Sequence, residues 1–456
     1  NSQKEVRMRY FLRNGRIWTN DGDLIDKGTI LVEGNEIKAV KPTDELKVSP
    51  GGSDEVLNCK GKLIIPGMVN AHTHLYSTLA RGLPLPDYSP ENLSEVLTGL
   101  WWKLDRNLDE EAVRTSARIG GMELIKNGVT TIFDHHSSPG HTAGSLRVIE
   151  EEVVEKLGLR SSLCYEVTDR NGQEEARRGI RENLDWLSAV SNRDDDLTAG
   201  QFGLHASFSL SSETLEEVGS YLEDLDTGIH IHLAEGREDQ EDSLGKYGTR
   251  VVNRLDNYGL LDEKSVLAHG IHLSEPEKKI LLEKDSFLVH NPRSNMNNGA
   301  GVADLEGLIS RGLRVGLGND GFGFSMIDEF RAALLLQKIY HGSPNILGPD
   351  AVGETLFTQN YNLAETAFGI KVGKLKRGYK ADLVVMDYPS PTPLTGENFF
   401  SHLFFGISGN NYEVETVFVD GNPLMKYSKL VGVEEREEYQ NAREISARLW
   451  EELKDN

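Results

Sequence analysis

Apolar and polar positions along this 456-residue chain fall into three regimes. Up to residue 63, short β-rich runs alternate with turn signals. Tyr10-Phe11-Leu12 leads into Asn14-Gly15, and Gly28-Thr29-Ile30-Leu31-Val32 leads into Glu33-Gly34-Asn35. Such runs predict a small antiparallel sheet. From residue 64 the rhythm changes to short apolar strands, many followed by a helical pattern. Eight strand candidates stand out, at 63–71, 129–134, 160–167, 201–206, 228–234, 265–269, 286–290 and 313–320, with amphipathic stretches such as 110–127, 212–225 and 328–339 among them. Eight strand–helix alternations predict an α/β fold of the (β/α)8 TIM-barrel type. An open doubly wound sheet is the rival, but it rarely runs to eight consecutive units. After residue 370 the β character returns, in Ala381-Asp382-Leu383-Val384-Val385 and Glu415-Thr416-Val417-Phe418-Val419. The expected organisation is therefore a barrel over 64–371, with 1–63 and 372–456 joined in a small β-sandwich domain and a closing helix over 434–453. No internal repeat or low-complexity tract interrupts it.

Composition narrows the class of function. The net charge of −23 repels phosphate backbones, so nucleic acid is not an expected partner. No stretch approaches the ~20 apolar residues of a membrane helix, and Asn1-Ser2-Gln3-Lys4-Glu5 lacks a signal-peptide pattern. Two cysteines, Cys59 and Cys164, cannot build a disulfide framework or a four-thiolate zinc site. A cytoplasmic protein with a small-molecule partner is expected.

The chemistry sits at the predicted strand ends. His72-Thr73-His74 follows the apolar run Ile64-Ile65-Pro66-Gly67-Met68-Val69, and side chains two apart on a strand share a face. Both imidazoles would face the axis at the C-terminal mouth, where barrel enzymes react. In Gly228-Ile229-His230-Ile231-His232-Leu233-Ala234-Glu235, His230 and His232 share a face; His232 lies nearer the mouth and His230 reads as a packed core histidine. Glu235, three residues past His232, lies where a proton shuttle belongs. His269 ends another strand, and Asp320 ends the eighth. Three nitrogens and one oxygen suit a catalytic metal. Residues 201–207 hold no lysine that could be carbamylated to bridge two ions, so one divalent ion is expected. Zinc is the expected metal, with iron the alternative.

Together, Pro66-Gly67 before His72-Thr73-His74, His232-Leu233-Ala234-Glu235, Ala268-His269-Gly270, His290-Asn291-Pro292-Arg293-Ser294-Asn295 and Gly318-Asn319-Asp320 resemble the amidohydrolase superfamily. The resemblance is to its chlorohydrolase and aminohydrolase (Atz/Trz-like) branch. Local marks such as Leu100-Trp101-Trp102-Lys103-Leu104-Asp105 and Tyr165-Glu166-Val167-Thr168-Asp169-Arg170-Asn171-Gly172 are similar to SsnA-type aminohydrolases. The resemblance implies that His72, His74, His232 and Asp320 hold the metal, that Glu235 is the general acid/base, and that His269 hydrogen-bonds the attacking water. It implies that Asp320 relays a second proton, and that the protein is a homodimer. It also implies that His205 and His272 contact substrate. His136 or its neighbour His135, and Tyr165 or Glu166, also fall where a substrate could lie; strand alternation lets only one of Tyr165 and Glu166 face inward. Trp101 and Trp102 could wall an aromatic pocket, whereas Asp169 and Arg170 read as a loop ion pair and Cys164 as packed core. The expected function is deamination of an amino-substituted, purine-like N-heterocycle. Hydrolytic opening of a cyclic amide ring is the alternative, and a non-catalytic metal-binding barrel is the remote one.

Overall fold

A computed structural model describes residues 8–455 apart from Asp23, Asp87, Asp194, Asn410 and Asn411. The reading of Asn1–Glu5 lies outside the described residues. Eight parallel strand positions form a TIM-barrel-like α/β domain. Four strands make one sheet: Met68–Thr73, Val129–His136, Arg160–Tyr165 and the short Thr198–Gly200. Five make the second: Phe202–Ala206, Ile229–Leu233, Val266–His269, Phe287–His290 and Arg314–Leu317. Parallel bridges between Thr73 and Asp320 and between Val167 and Leu204 join the two sheets at both seams. Every candidate strand is thus present, and the fourth is broken at Gln201.

The first candidate strand is two strands. Leu63–Pro66 pairs with Leu383–Met386 in the other sheet, and the barrel strand starts at Met68. Gly67 makes the division. Its N–H donates to the Asp382 carbonyl (3.0 Å), and its own carbonyl accepts from the Tyr361 hydroxyl (2.9 Å). A Cβ there would lie 2.2 Å from Thr130 Cγ2, so only glycine lets the chain cross so close to the second strand.

Strands from both chain ends pair in one nine-stranded sheet. Lys429–Leu430, Asn422–Lys426, Glu413–Val419, Leu383–Asp387, Leu63–Pro66, Arg9–Trp18, Leu24–Glu33 and Glu36–Pro42 follow in order, and Glu55–Asn58 also pairs with Arg9–Trp18. This sheet has its own apolar cluster, including Leu12, Ile30, Leu57, Leu383 and Phe418, separate from the large barrel core. The buried Arg160 guanidinium, paired with Asp382, ties the third barrel strand to it. The C-terminal helix Glu435–Asp455 packs on Glu110–Lys126, with Arg118–Glu438 (3.0 Å) and Lys126–Glu435 (2.6 Å) at the joint.

A helical segment over residues 93–106 lies between the first barrel strand and Glu110–Lys126. Asn92 caps it, accepting from Glu95 N–H (2.9 Å), and a widened π-type turn spans Leu97–Trp101. It reaches over the barrel mouth and carries Trp101 and Trp102.

Glycines test this packing. At Gly203 a Cβ would lie 2.2 Å from the Tyr165 carbonyl oxygen of the neighbouring strand, whereas at Gly245, inside Arg237–Tyr247, it would meet nothing within 4 Å. Gly203→Ala should therefore destabilise the fold by about 1–3 kcal/mol. Gly245→Ala should stabilise it by about 0.5–1 kcal/mol. Urea midpoints of the two variants check the opposite signs.

Candidate metal centre and its cavity

Carbonyl groups fix the protonation of the mouth histidines, because a carbonyl can only accept. His74 donates through Nδ1 to the His135 carbonyl (2.6 Å), and His232 donates through Nδ1 to the His205 carbonyl (2.9 Å). In the neutral rings their Nε2 atoms are therefore the free lone pairs, and the two face each other at 3.1 Å. His72 Nδ1 meets His230 Nε2 at 2.8 Å; with the proton of that contact on His72, its Nε2 is a third free lone pair, buried and without a hydrogen-bond partner. Asp320 Oδ1 lies 2.8 Å from His74 Nε2 and 3.3 Å from His72 Nε2. The four ligand atoms all lie within 4.8 Å of one another. Lone pairs gathered so closely repel unless positive charge sits among them, so the donor set fits a divalent cation.

The titration of these groups follows the same logic. Burial holds His232, His205, His135 and His230 well below the ordinary histidine range, which keeps them neutral. Burial likewise lowers His72 to about 4. His74 is different: burial pulls it down, but the Asp320 carboxylate outweighs burial and raises it to about 9. Asp320 is pushed up by burial and pulled further down by its contacts with His72 and His74, ending well below the carboxylate range. Positive charge is wanted at this point.

Backbone turns aim the groups. Asp320 has φ 55°, His269 φ 75° and Ala234 φ 46°, all in the left-handed region that non-glycine residues rarely adopt. The Asn319 and Asp320 N–H groups both donate to the His72 carbonyl (3.1 and 3.0 Å), and Ser294 donates to Asp320 Oδ2. The Ala234 turn is pinned by its N–H to Asp239 Oδ2 (3.0 Å), and it projects Glu235 to within 3.5 Å of His269 Nε2. His269 Nδ1 is held by Asn295 Oδ1 (2.8 Å), and its Nε2 has no other partner. Burial raises the Glu235 carboxyl, opposed by His269. Glu235, His269 and Asp320 also lie within ligand distance of one another.

The donors open onto a cavity of about 220 Å³. Its floor includes His74, Glu166, His205, His232, Glu235 and Asp320; Leu93, Leu97, Trp101 and Trp102 cover it, and Phe208 and Phe322 flank it.

The comparisons with known proteins bear on this site. The sequence profile of the amidohydrolase family matches residues 63–424. The chain belongs to that family. It is therefore a hydrolase of C–N bonds. A protein of Thermococcus sibiricus named 5-methylthioadenosine/S-adenosylhomocysteine deaminase is 33% identical over 424 residues, covering 92% of this chain and 94% of that protein. A 5'-deoxyadenosine deaminase of Methanobrevibacter smithii is 33% identical over 436 residues, covering 94% and 95%. Among solved structures, an adenosine deaminase from Xanthomonas campestris with bound zinc superposes with a TM-score of 0.82 at 22% identity, covering 96% of this chain and 98% of that one. The zinc complex of an atrazine chlorohydrolase from Arthrobacter aurescens gives 0.79 at 19% identity, with 96% and 100% covered.

In this amidohydrolase the structure sorts the candidate substrate contacts. His205 and Glu166 line the cavity. Tyr165 does not: its ring packs against Gly179 on Gln173–Ser191, and its hydroxyl meets Thr142 Oγ1 (3.0 Å). Strand alternation puts Glu166 inward and Tyr165 outward. By the same alternation His135 stacks on His230 inside the barrel (4.6 Å), while His136 bonds Ser138 Oγ (2.8 Å) beside Tyr165, away from the cavity. His272 is half-buried on the loop beyond the left-handed turn at His269-Gly270 and bonds the Ala300 carbonyl (2.9 Å), again away from the cavity. Asp169 and Arg170 are not paired with each other. Asp169 accepts from Ser211 N–H (2.6 Å) and Thr214 (2.9 Å), whereas Arg170 pairs with buried Asp105 beneath the Trp102 ring. His230 is a core histidine that also orients His72, which spacing alone could not show. Ser294 and Asn295 sit in the motif that marked the family, yet no periodicity signals their contacts with Asp320 and His269.

Two substitutions check the sorting. Tyr165→Phe should lower stability by about 1 kcal/mol through its lost hydrogen bond and leave KM unchanged. Glu166→Gln should raise KM by roughly tenfold, the scale of one polar contact to substrate. Steady-state ammonia release together with urea denaturation reads both.

Proposed function

We propose that this amidohydrolase removes an exocyclic amino group from a purine-like N-heterocycle, releasing ammonia. The observation that carries the reading is the 3.5 Å approach of Glu235 to His269 beside four converging ligand atoms, all at one cavity. Relatives above 30% identity over more than 90% of the chain are named as deaminases of adenine nucleosides, which supports a purine-like ring.

His72, His74, His232 and Asp320 would hold one divalent ion. Zinc is the choice that suits three imidazoles and a carboxylate, and that the zinc-bearing structural neighbours support. Bound there, it supplies the Lewis acidity that makes water a nucleophile near neutral pH. Glu235 takes the proton of the attacking water and delivers it to a ring nitrogen. His269, with its Nδ1 proton held by Asn295, keeps Nε2 free to accept from the attacking water and so fixes its direction. Asp320 relays the second proton to the departing amine, while Ser294 on Oδ2 keeps the carboxylate oriented. Glu166 and His205 face the heterocycle from the cavity floor.

We assign the chemistry to the barrel unit of residues 64–371 and treat 1–63 with 372–456 as an accessory β domain. A sandwich there is supported by the single apolar cluster joining both chain ends. The family resemblance supports a homodimer. A cytoplasmic setting is supported by two buried free cysteines, and among the described residues no helix is long and apolar enough to cross a membrane.

The test is ammonia release from adenine nucleosides with the ring chromophore followed in parallel. One ammonia per turnover with an intact purine supports deamination; loss of the ring chromophore would instead mean ring opening. Within that assay Glu235→Gln should keep its metal and lose at least ~100-fold in kcat. His72→Ala should lose the metal while its far-ultraviolet spectrum stays that of the parent. Metal loss in Glu235→Gln would make Glu235 a ligand and overturn its assigned role.

A further inference from the structure

The lining of the cavity is one-sided in charge. Carboxylates face it from several elements, yet among the described residues no lysine or arginine lines it. Several of these carboxylates are already committed. Asp320 and Glu235 address the metal position, Asp105 is paired with Arg170, and Asp239 accepts from the Phe208 and Ala234 N–H groups (3.0 Å each). Glu166 and Glu238 remain, together with one oxygen of Asp242.

Glu238 and Asp242 lie four residues apart on Arg237–Tyr247, so they share one face of that helix. Glu238 Oε2 sits 2.4 Å from where a Gly236 Cβ would be, so its side chain folds back over the loop beside the cavity. Asp242 holds Lys246 with Oδ1 (2.6 Å), while its Oδ2 is buried and has no partner. Deeper in the same cavity, Glu166 and the Arg170-paired Asp105 each keep one oxygen without a hydrogen bond. Glu166 has a side chain only 3% exposed, and its Oε1 makes no hydrogen bond although His74 and His135 Nδ1 each lie 3.4 Å away; Asp105 has one 2% exposed and a free Oδ1. A buried acceptor left unpaired is costly, so such a wall suits a ligand that brings donors.

We propose that this cavity selects its substrate by charge. It takes amino-heterocycles whose substituent, distal to the reacting amino group, is cationic or rich in N–H and O–H donors. It discriminates against the same ring carrying a carboxylate or phosphate at that place. The proposal rests on the deaminase reading and narrows it. Glu238 and Asp242 at the outer part of the cavity act on the distal substituent, and the overall charge of −23 adds a field of the same sign. Unit charges within about 8 Å at a protein surface alter an equilibrium about tenfold or more, and salt weakens the effect.

The test uses the metal-loaded protein at neutral pH and low salt, with three ligands that differ at one position: 5'-amino-5'-deoxyadenosine, 5'-deoxyadenosine and adenosine 5'-carboxylate. Ammonia release gives kcat/KM, and quenching of tryptophan fluorescence, to which the cavity-lining Trp101 and Trp102 contribute, gives Kd independently of turnover. The expected order is cation over neutral over anion, with cation and anion separated by at least about tenfold in both readouts. Added salt and the double variant E238Q/D242N should each shrink that ratio toward one. Equal or reversed preference, a ratio indifferent to the double variant, or failure of the cation to bind overturns the proposal. Binding in the expected order without ammonia from any of the three would support charge selection and refute the deaminase reading instead.

Discussion

Three imidazole lone pairs and one carboxylate oxygen converge at the barrel mouth, and the rest of the site is arranged to keep them there. The His135 and His205 carbonyls each hold a proton on the far side of a ligand histidine, and His230 Nε2 meets the far side of His72 at 2.8 Å. Those three contacts convert ordinary histidines, either of whose nitrogens can carry the proton, into donors with one defined face. All three partners come from the barrel strands themselves. A closed, densely packed barrel is what allows such groups to be held against their mutual repulsion.

The same constraint explains where the backbone is strained. Left-handed conformations at Ala234, His269 and Asp320 cost on the order of 1–2 kcal/mol each. These three lie at the ends of the fifth, sixth and eighth barrel strands, where the candidate site is built. Each turns the chain so that a side chain leaving a strand points across the mouth instead of out along the helix layer. Pinning by Asp239 at Ala234, by Asn295 at His269, and by Ser294 with the His72 carbonyl at Asp320 offsets the strain.

Much of this was legible in the sequence because it rests on period and position. Apolar runs broken by helical patterns gave eight strands, and HxH two apart at the end of the first strand put two histidines on one face. The ends of the fifth and eighth strands then offered His232 and Asp320. Side-chain direction beyond the strand ends was not legible, for a physical reason. At Tyr165 and Glu166 a shift of one residue exchanges the core for the helix layer, and only the packing of Tyr165 against Gly179 decides it. His272 follows a positive-φ turn that no alternation rule anticipates. Arg170 and Asp105 lie 65 residues apart, and their pairing under Trp102 depends on how residues 93–106 cross the mouth.

A second group of possible ligands, His74, His135, Glu166 and His232, lies beside the first. His74 and His232 already present one nitrogen to the first position and commit the other to a carbonyl, so only His135 Nδ1 and Glu166 Oε1, 3.4 Å apart, stay open. Two donors are too few for a second resident ion, so a single ion is expected. Metal content per chain combined with X-ray absorption at the metal edge measures this directly. One ion per chain, with three imidazoles and oxygen ligands in its first coordination shell, is the expected result. Two ions per chain, or a shell with fewer than three imidazoles, would contradict the account at its centre.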